Sequence, residues 1–207
     1  MSEIYDPYKK VCIATSRDIG NKCKEWAKEN IPTEYILVDE IENADIVISV
    51  LYDTIITAKT MKNKKCYNFH PGILPEYRGA GAYSWTLINE DKKSGITLHL
   101  IDEGIDTGDI IEIREFIISK NDTAHSLNER GNDLIFKMFK DWFKDLLEEN
   151  YTAVPQPSEN ARIYYRNDLD KMKNLTKYIR ALHFPGKESS YYINNKGKKT
   201  YIKFIEE

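Results

Sequence analysis

Ala44–Leu51 reads ADIVISVL, a run almost continuous in Ile and Val. Side chains of a strand alternate between its two faces, so a strand apolar at both parities must be covered on both sides. That requirement restricts the chain to folds in which a sheet is sandwiched between other layers. Lys10–Thr15 (KVCIAT), Glu34–Val38 and Lys65–Phe69 read as further strands. Between them lie a helical pattern from Asp18, taken as its N-cap, to about Glu29, which Pro32 ends, and a helical turn at Thr57–Lys62. Gly79–Glu90 can form a helix, Gly95–Ile101 alternates as a strand, and Asp109–Ile118 is another. Thr123–Glu149 spaces Leu127, Leu134, Ile135, Met138, Trp142, Phe143 and Leu146 as one helical face. Strands alternating with helices predict a three-layer α/β domain with a parallel-rich sheet. Ala153–Asn167 loses this rhythm. A helix near Asp168–Leu182 is expected next, then a hairpin of Ser190–Ile193 and Thr200–Ile205 around Asn194-Asn195-Lys196-Gly197. The expected division is a core over 1–150 and a C-terminal extension over 151–207.

A chain of 207 residues, 41% hydrophobic and 12% aromatic, can bury one substantial core. Its net charge of −3 and pI near 5.9 make no electrostatic case for a nucleic acid or an anionic membrane as partner. Lys62, Lys64 and Lys65 read as a solvated face. No apolar leader or membrane-length run is present, so a cytoplasmic protein is expected. Cys12, Cys23 and Cys66 lack the paired spacing of a disulfide or zinc framework, and reduced, buried thiols are expected. The scattered His and Cys likewise predict no metal site.

Asn68 to Asp109 concentrates turn-formers beside few titratable groups: NFHPGILPEYRGAGAYSWTLINEDKKSGITLHLIDEGIDTGD. If Lys65–Phe69 is a central strand, Asn68 and His70 point the same way at its carboxyl end, the edge where open α/β sheets bind ligands. Pro71 holds His70 extended, and Gly72 lets the chain turn. Asp106, in a loop after Gly95–Ile101, can swing a carboxylate back over that edge. An amide donor, an imidazole and a carboxylate together suit acyl transfer to an amine. Asn68 would donate to an oxygen that becomes negative, His70 would relay the amine proton, and Asp106 would orient the imidazole. His99, mid-strand, and His125, at a helix start, read as structural or surface residues.

Asn68-x-His70-Pro71-Gly72-x-Leu74-Pro75-x-Tyr77-Arg78-Gly79, followed by Asp102-x-Gly104-x-Asp106-Thr107-Gly108-Asp109, resembles the catalytic core of the formyltransferases that use N10-formyltetrahydrofolate. The resemblance runs from roughly Ala44 to Leu147 and implies a Rossmann-like core with Asn68, His70 and Asp106 as the catalytic trio. It also implies that the folate is held largely by backbone groups of Val50, Leu51, Tyr52, Ile101, Asp102, Glu103 and Gly104. Tyr77, Arg78, Gly79, Tyr83, Trp85, His183 and Phe184 become candidate substrate contacts, although Tyr83 and Trp85 at helical positions equally suit a core.

The family divides by the amine acylated. The methionyl-tRNA branch carries a further C-terminal barrel and a basic surface, for which the tail here has no room. The glycinamide ribonucleotide branch opens with a Gly-rich loop where this chain has Ala14-Thr15-Ser16-Arg17-Asp18-Ile19-Gly20. The ending Ile179–Gly186 plus a hairpin resembles the branch that formylates nucleotide-linked amino sugars, so a sugar N-formyltransferase is expected, with a homodimer contact at the hairpin. The alternatives are a glycinamide ribonucleotide formyltransferase-like enzyme or an inactive binding protein of the same fold. The segment between the first strand and Ala44 is shorter than the family's N-terminal half, which leaves one wall of the folate pocket reduced.

Overall fold

The computed structural model describes residues 7–165 together with 168, 179, 181, 184, 186, 191–193 and 198–201. Its centre is a six-stranded sheet in the order β2-β1-β3-β4-β6-β7. These strands are β1 (Lys9–Ala14), β2 (Tyr35–Leu37), β3 (Ile46–Val50), β4 (Lys65–His70), β6 (Lys93–Leu100) and β7 (Ile110–Ile117). The first four are mutually parallel, while β6 runs antiparallel to β4 and β7 antiparallel to β6. The fold is α/β with a mixed, mostly parallel sheet. Every residue of β3 is buried, as the ADIVISVL run demands of a strand covered on both faces.

The two faces are covered unequally. One parity of the central strands, including Ile46, Ile48, Tyr67, Phe69, Ile96 and Leu98, packs on three helices. These are α1 (Asp18–Asn30), α3 (Ala82–Ile88) and α4 (Ala124–Glu148). Trp26 of α1 meets Phe139 and Phe143 of α4 edge-on, with ring centroids 6.1 and 5.7 Å apart, a favoured aromatic geometry. A capping box between Thr123 and Ser126 starts α4. Among the described residues, the other parity, Cys12, Ala14, Val47 and Cys66, meets the 3₁₀ turn Ile41–Asn43, the one-turn helix α2 (Ala58–Met61) and loop residues such as Tyr52, Ile56 and Ile101. This thin side is where polar groups can reach the sheet. Burial pushes the Cys12 and Cys66 thiols up to about 11 and Cys23 up to about 12, so all three are inert thiols.

Two local expectations change. Asp18 is the first residue of α1, with Arg17 in the cap position and no side-chain cap bond; the Thr15 hydroxyl accepts from Arg17 N instead. The helix expected at Gly79–Glu90 begins only at Ala82, because Gly79 and Gly81 have φ of 86° and 81°, outside the helical region. Arg78–Gly79 is a short strand, β5, paired in parallel with β8 (Ile163–Tyr164). The stretch without rhythm is thus strapped to the core, and Val154 adds a bridge to Ile110. β9 (Tyr191–Ile193) and β10 (Lys199–Tyr201) pair antiparallel as a two-stranded ribbon. The expected helix near Asp168–Leu182 and the turn at 194–197 fall largely outside the described residues. No helix among the described residues is long and apolar enough to cross a membrane.

Candidate functional site

Strand β4 carries Asn68 and His70 on the thinly covered face, and cross-strand register supplies their neighbours. Asn68 stands opposite Ser49 of β3 and His99 of β6, and His70 opposite Thr97. Directly opposed residues share a face, so these polar side chains form one row along the sheet, and Ser49, His70, Thr97 and His99 are all buried. Because β6 is antiparallel, the loop after it leaves on the far side and must fold back. Ile101 N still donates to Cys66 O as the next rung of the β4–β6 ladder, and the chain turns back after it. The return brings Asp106 over Asn68 and His70.

Asp106 has a φ of 50°, an uncommon conformation for a residue with a side chain, which its surroundings must hold. Its Oδ2 accepts from Gly79 N at 2.8 Å and lies 3.5 Å from His70 Nδ1; its Oδ1 accepts from Asn68 Nδ2 at 3.4 Å. His70 Nε2 donates to the Tyr77 carbonyl at 2.6 Å. Both imidazole nitrogens of His70 therefore face oxygen atoms, Nε2 the Tyr77 carbonyl and Nδ1 the Asp106 carboxylate. The three predicted catalytic side chains converge around one carboxylate.

His99, read from the sequence as structural, belongs to the same cluster. Its Nδ1 donates to Leu100 O at 2.6 Å, which leaves Nε2 to accept from Asn68 Nδ2 at 3.2 Å. Nε2 also lies 3.7 Å from Asp106 Oδ1. Burial, then the neighbouring His70, pulls the His99 pKa down from 6.5 to about 4 against the opposing carboxylates. A neutral ring is the form that can accept from Asn68. Between these two values the unfolded chain binds a proton that the folded ring refuses, so stability is full above the unfolded pKa and falls as pH drops toward the folded one. Denaturant titrations on either side of that window should find the protein less stable on the acid side, with a shallower decline in His99→Gln. Equal declines in both proteins would overturn this account.

The remaining predicted residues divide by environment. Val50 is a core residue ending β3; Leu51 turns with a φ of 52° and accepts from Ser16 N through its carbonyl. Tyr52 and Ile101 pack on the same small core cluster, so the two segments are neighbours. Asp102 caps its own loop, accepting from Gly104 N and Thr107 Oγ1, while Glu103 is exposed. A Cβ at Gly104 would lie 2.0 Å from Thr107 Oγ1, the hydroxyl that donates to Asp102, so a side chain there would displace that bond. Tyr77 has its carbonyl at His70 and its ring stacked on Tyr164 at 5.3 Å. That ring lines an open cavity of about 400 Å³ with Asn89, Asp91 and Arg162. Gly79 acts through its N–H on Asp106. Tyr83 and Trp85 lie in the core, Tyr83 on the main cluster and Trp85 tilted on Tyr164 at 4.8 Å. Burial at these positions is what their helical spacing equally allowed, and neither ring is offered to a ligand. Phe184 packs partly on the main core, edge-on to His125 at 6.2 Å; His183 lies outside the described residues. Arg78 directs Nε and Nη2 to Gln156 Oε1 at 3.0 and 2.7 Å.

Known proteins share both sequence and fold with this chain. Methionyl-tRNA formyltransferase of Thermodesulfovibrio yellowstonii is 33% identical over 147 residues, 65% of this chain and 48% of that enzyme. The chain spans about half the length of the curated relatives it matches. A sugar N-formyltransferase from a Shewanella species superposes with a TM-score of 0.82 at 22% identity, over 96% of this chain and 98% of its own. The N-formyltransferase of Helicobacter canadensis, solved with folinic acid and dTDP-3-aminofucose, superposes at 0.75 with 25% identity, over 85% of this chain and 81% of its own. The family profile described as formyl transferase matches residues 12–141, a span that takes in the sheet from Cys12 of β1 onward, the Asn68–His70 corner and the Asp106 loop, and the chain belongs to that family.

Proposed function

We propose that this chain transfers a formyl group from N10-formyltetrahydrofolate to the amino group of a nucleotide-linked amino sugar. The observation that carries the reading is the convergence of Asn68, His70 and Asp106 on one face of the sheet, within 3.5 Å of one another through the carboxylate. Bound folate supplies the formyl group: the amine nitrogen bonds to the formyl carbon, the bond from that carbon to N10 breaks, and the proton lost by the amine ends on N10. The apolar side chains of Tyr52, Ile56 and Ile101, half-buried on the thin face, fit a flat heterocycle, with the backbone of 50–52 and 101–104 at its edge.

The protein groups divide the work by position. His70 Nε2 is committed to the Tyr77 carbonyl, so Nδ1 is the atom at which a proton can be received, directly or through one water, and Asp106 Oδ2 stabilises the ring once charged. Both Asn68 N–H groups are engaged in the resting site, one with neutral His99 and one with Asp106 at 3.4 Å. The longer bond is the weaker, and its N–H is the donor that a developing oxyanion would capture.

The sugar branch is favoured because the likeness to the Shewanella enzyme extends over nearly the whole of both chains. The same reading keeps residues 1–150 as the catalytic core and 151–207 as an extension, Tyr77, Arg78, Gly79, His183 and Phe184 as the substrate side, and the β9–β10 ribbon as a homodimer contact. A two-stranded ribbon is marginal alone in water, and pairing about a two-fold axis would cover it. One preparation tests the reading: incubated with N10-formyltetrahydrofolate and a panel of nucleotide-linked amino sugars, it should add one formyl mass to at least one, and light scattering should give the mass of a dimer. Preferential formylation of glycinamide ribonucleotide would sink the substrate class, and a monomer would sink the ribbon contact.

A further inference from the structure

We infer that Gln156 is a positioning residue for the transfer reaction, a single amide that fixes the Asp106 loop and Arg78 in one arrangement. This rests on the formyl-transfer reading above. Gln156 Nε2 donates to Asp106 O at 2.9 Å and to Gly108 O at 2.7 Å, while its Oε1 accepts from Nε and Nη2 of Arg78. An amide has two N–H donors and one oxygen with two lone pairs, and all are used. The arrangement also has one sense: a flipped amide would set NH₂ against the guanidinium and oxygen against two carbonyls. The segment bearing Gln156 is itself held at both ends, by mutual Val154–Ile110 backbone bonds at 2.8 Å and by the β5–β8 pairing.

The need for such a bracket follows from the loop. Asp106 is held at a φ of 50°, and the loop folds back over a sheet face that no long helix among the described residues covers. A Cβ at Gly108 would lie 1.9 Å from Leu100 O, so the loop's return passes tightly against the end of β6. Gly79 N fixes the Asp106 carboxylate, and Gln156 fixes its backbone. Arg78 and Gly79 are adjacent in β5, so one short strand holds the loop by both attachments. Removing the amide frees the backbone while leaving the carboxylate in place chemically, and a misplacement of about 1 Å can cost roughly 10²-fold in rate.

Gln156→Met keeps the length and removes every bond; Gln156→Glu keeps the acceptor for Arg78 but sets a carboxylate against two carbonyls. Both should lower kcat by roughly 10- to 100-fold. Because the effect runs through Asp106, Gln156→Met should cost almost nothing more when added to Asp106→Asn. Hydrogen exchange supplies a readout independent of activity: in Gln156→Met, amides of 101–109 should exchange faster while those of α4 hold. Unchanged kcat, additive losses with Asp106→Asn, or unchanged exchange in 101–109 would each overturn the inference. A wild-type protein inactive toward every amine, with exchange in 101–109 still accelerated by the substitution, would overturn the formyl-transfer reading and support the bracket.

Discussion

His70→Asn and Asp106→Asn should each lower turnover of formyl transfer by roughly 10²-fold or more, the scale that positioned acid–base and charge-stabilising groups commonly supply. The two substitutions act for different reasons. Asparagine at 70 offers no ring nitrogen to receive the amine proton, and the Tyr77 carbonyl loses its donor. Asparagine at 106 has one acceptor oxygen where the carboxylate serves Gly79 N with Oδ2 and Asn68 Nδ2 with Oδ1. Its NH₂ must then oppose one of those donors, so Asp106→Asn both removes the charge beside His70 and loosens the loop. Both groups handle one proton, so the double variant should be about as slow as the slower single. Thermal unfolding should leave both variants folded, since the core on the helical face is untouched. Near-normal kcat in both would show that the proposed mechanism is wrong.

How far the sequence led is visible in β4 and in its neighbours. Alternation alone placed Asn68 and His70 on one face, and the apolar run of β3 required cover on both sides, because both properties are local and periodic. His99 is buried, as its structural reading expected, but its contact with Asn68 comes from standing opposite it in an antiparallel register, and no local pattern encodes which residue faces which across strands 31 positions apart. Gln156 escaped for a related reason: it lies in a stretch without periodicity, and its role exists only through carbonyls of a distant loop. The start of α3 was placed too early because the positive φ values of Gly79 and Gly81, which are not helical, are set by the fold and leave no periodic trace in the sequence. The unequal cover of the sheet was also hidden, since a face covered by loops and a face covered by long helices demand the same apolar side chains from the strand. That inequality leaves room for a site: the face on which no long helix of the described residues packs is the one that carries the polar row.

The second large effect is expected at Asn68. If its N–H stabilises charge on the formyl oxygen, Asn68→Ala should lower kcat by about 10²- to 10³-fold, as loss of one oxyanion donor commonly does. KM for either substrate should change little, because the interaction strengthens only as charge develops. The resting structure sharpens this expectation by giving the same amide a second task. It bridges neutral His99 and Asp106, so truncation also leaves a buried imidazole nitrogen without its donor, at a cost of about 1–3 kcal/mol. The two tasks separate in Asn68→Asp. A carboxylate there cannot donate to an oxyanion, but it can accept from a His99 ring that takes up a proton, and it stands beside Asp106 as a like charge. Oxyanion stabilisation as the main role predicts that Ala and Asp variants are comparably slow, and that His99→Leu, which removes the acceptor but leaves the Asn68 N–H groups, retains much more activity. Bridging as the main role predicts that His99→Leu is nearly as slow as Asn68→Ala. Single-turnover rates for the three variants, measured at saturating folate and amine, separate these outcomes, and an Asn68→Ala rate within a few-fold of wild type would remove Asn68 from the reaction altogether.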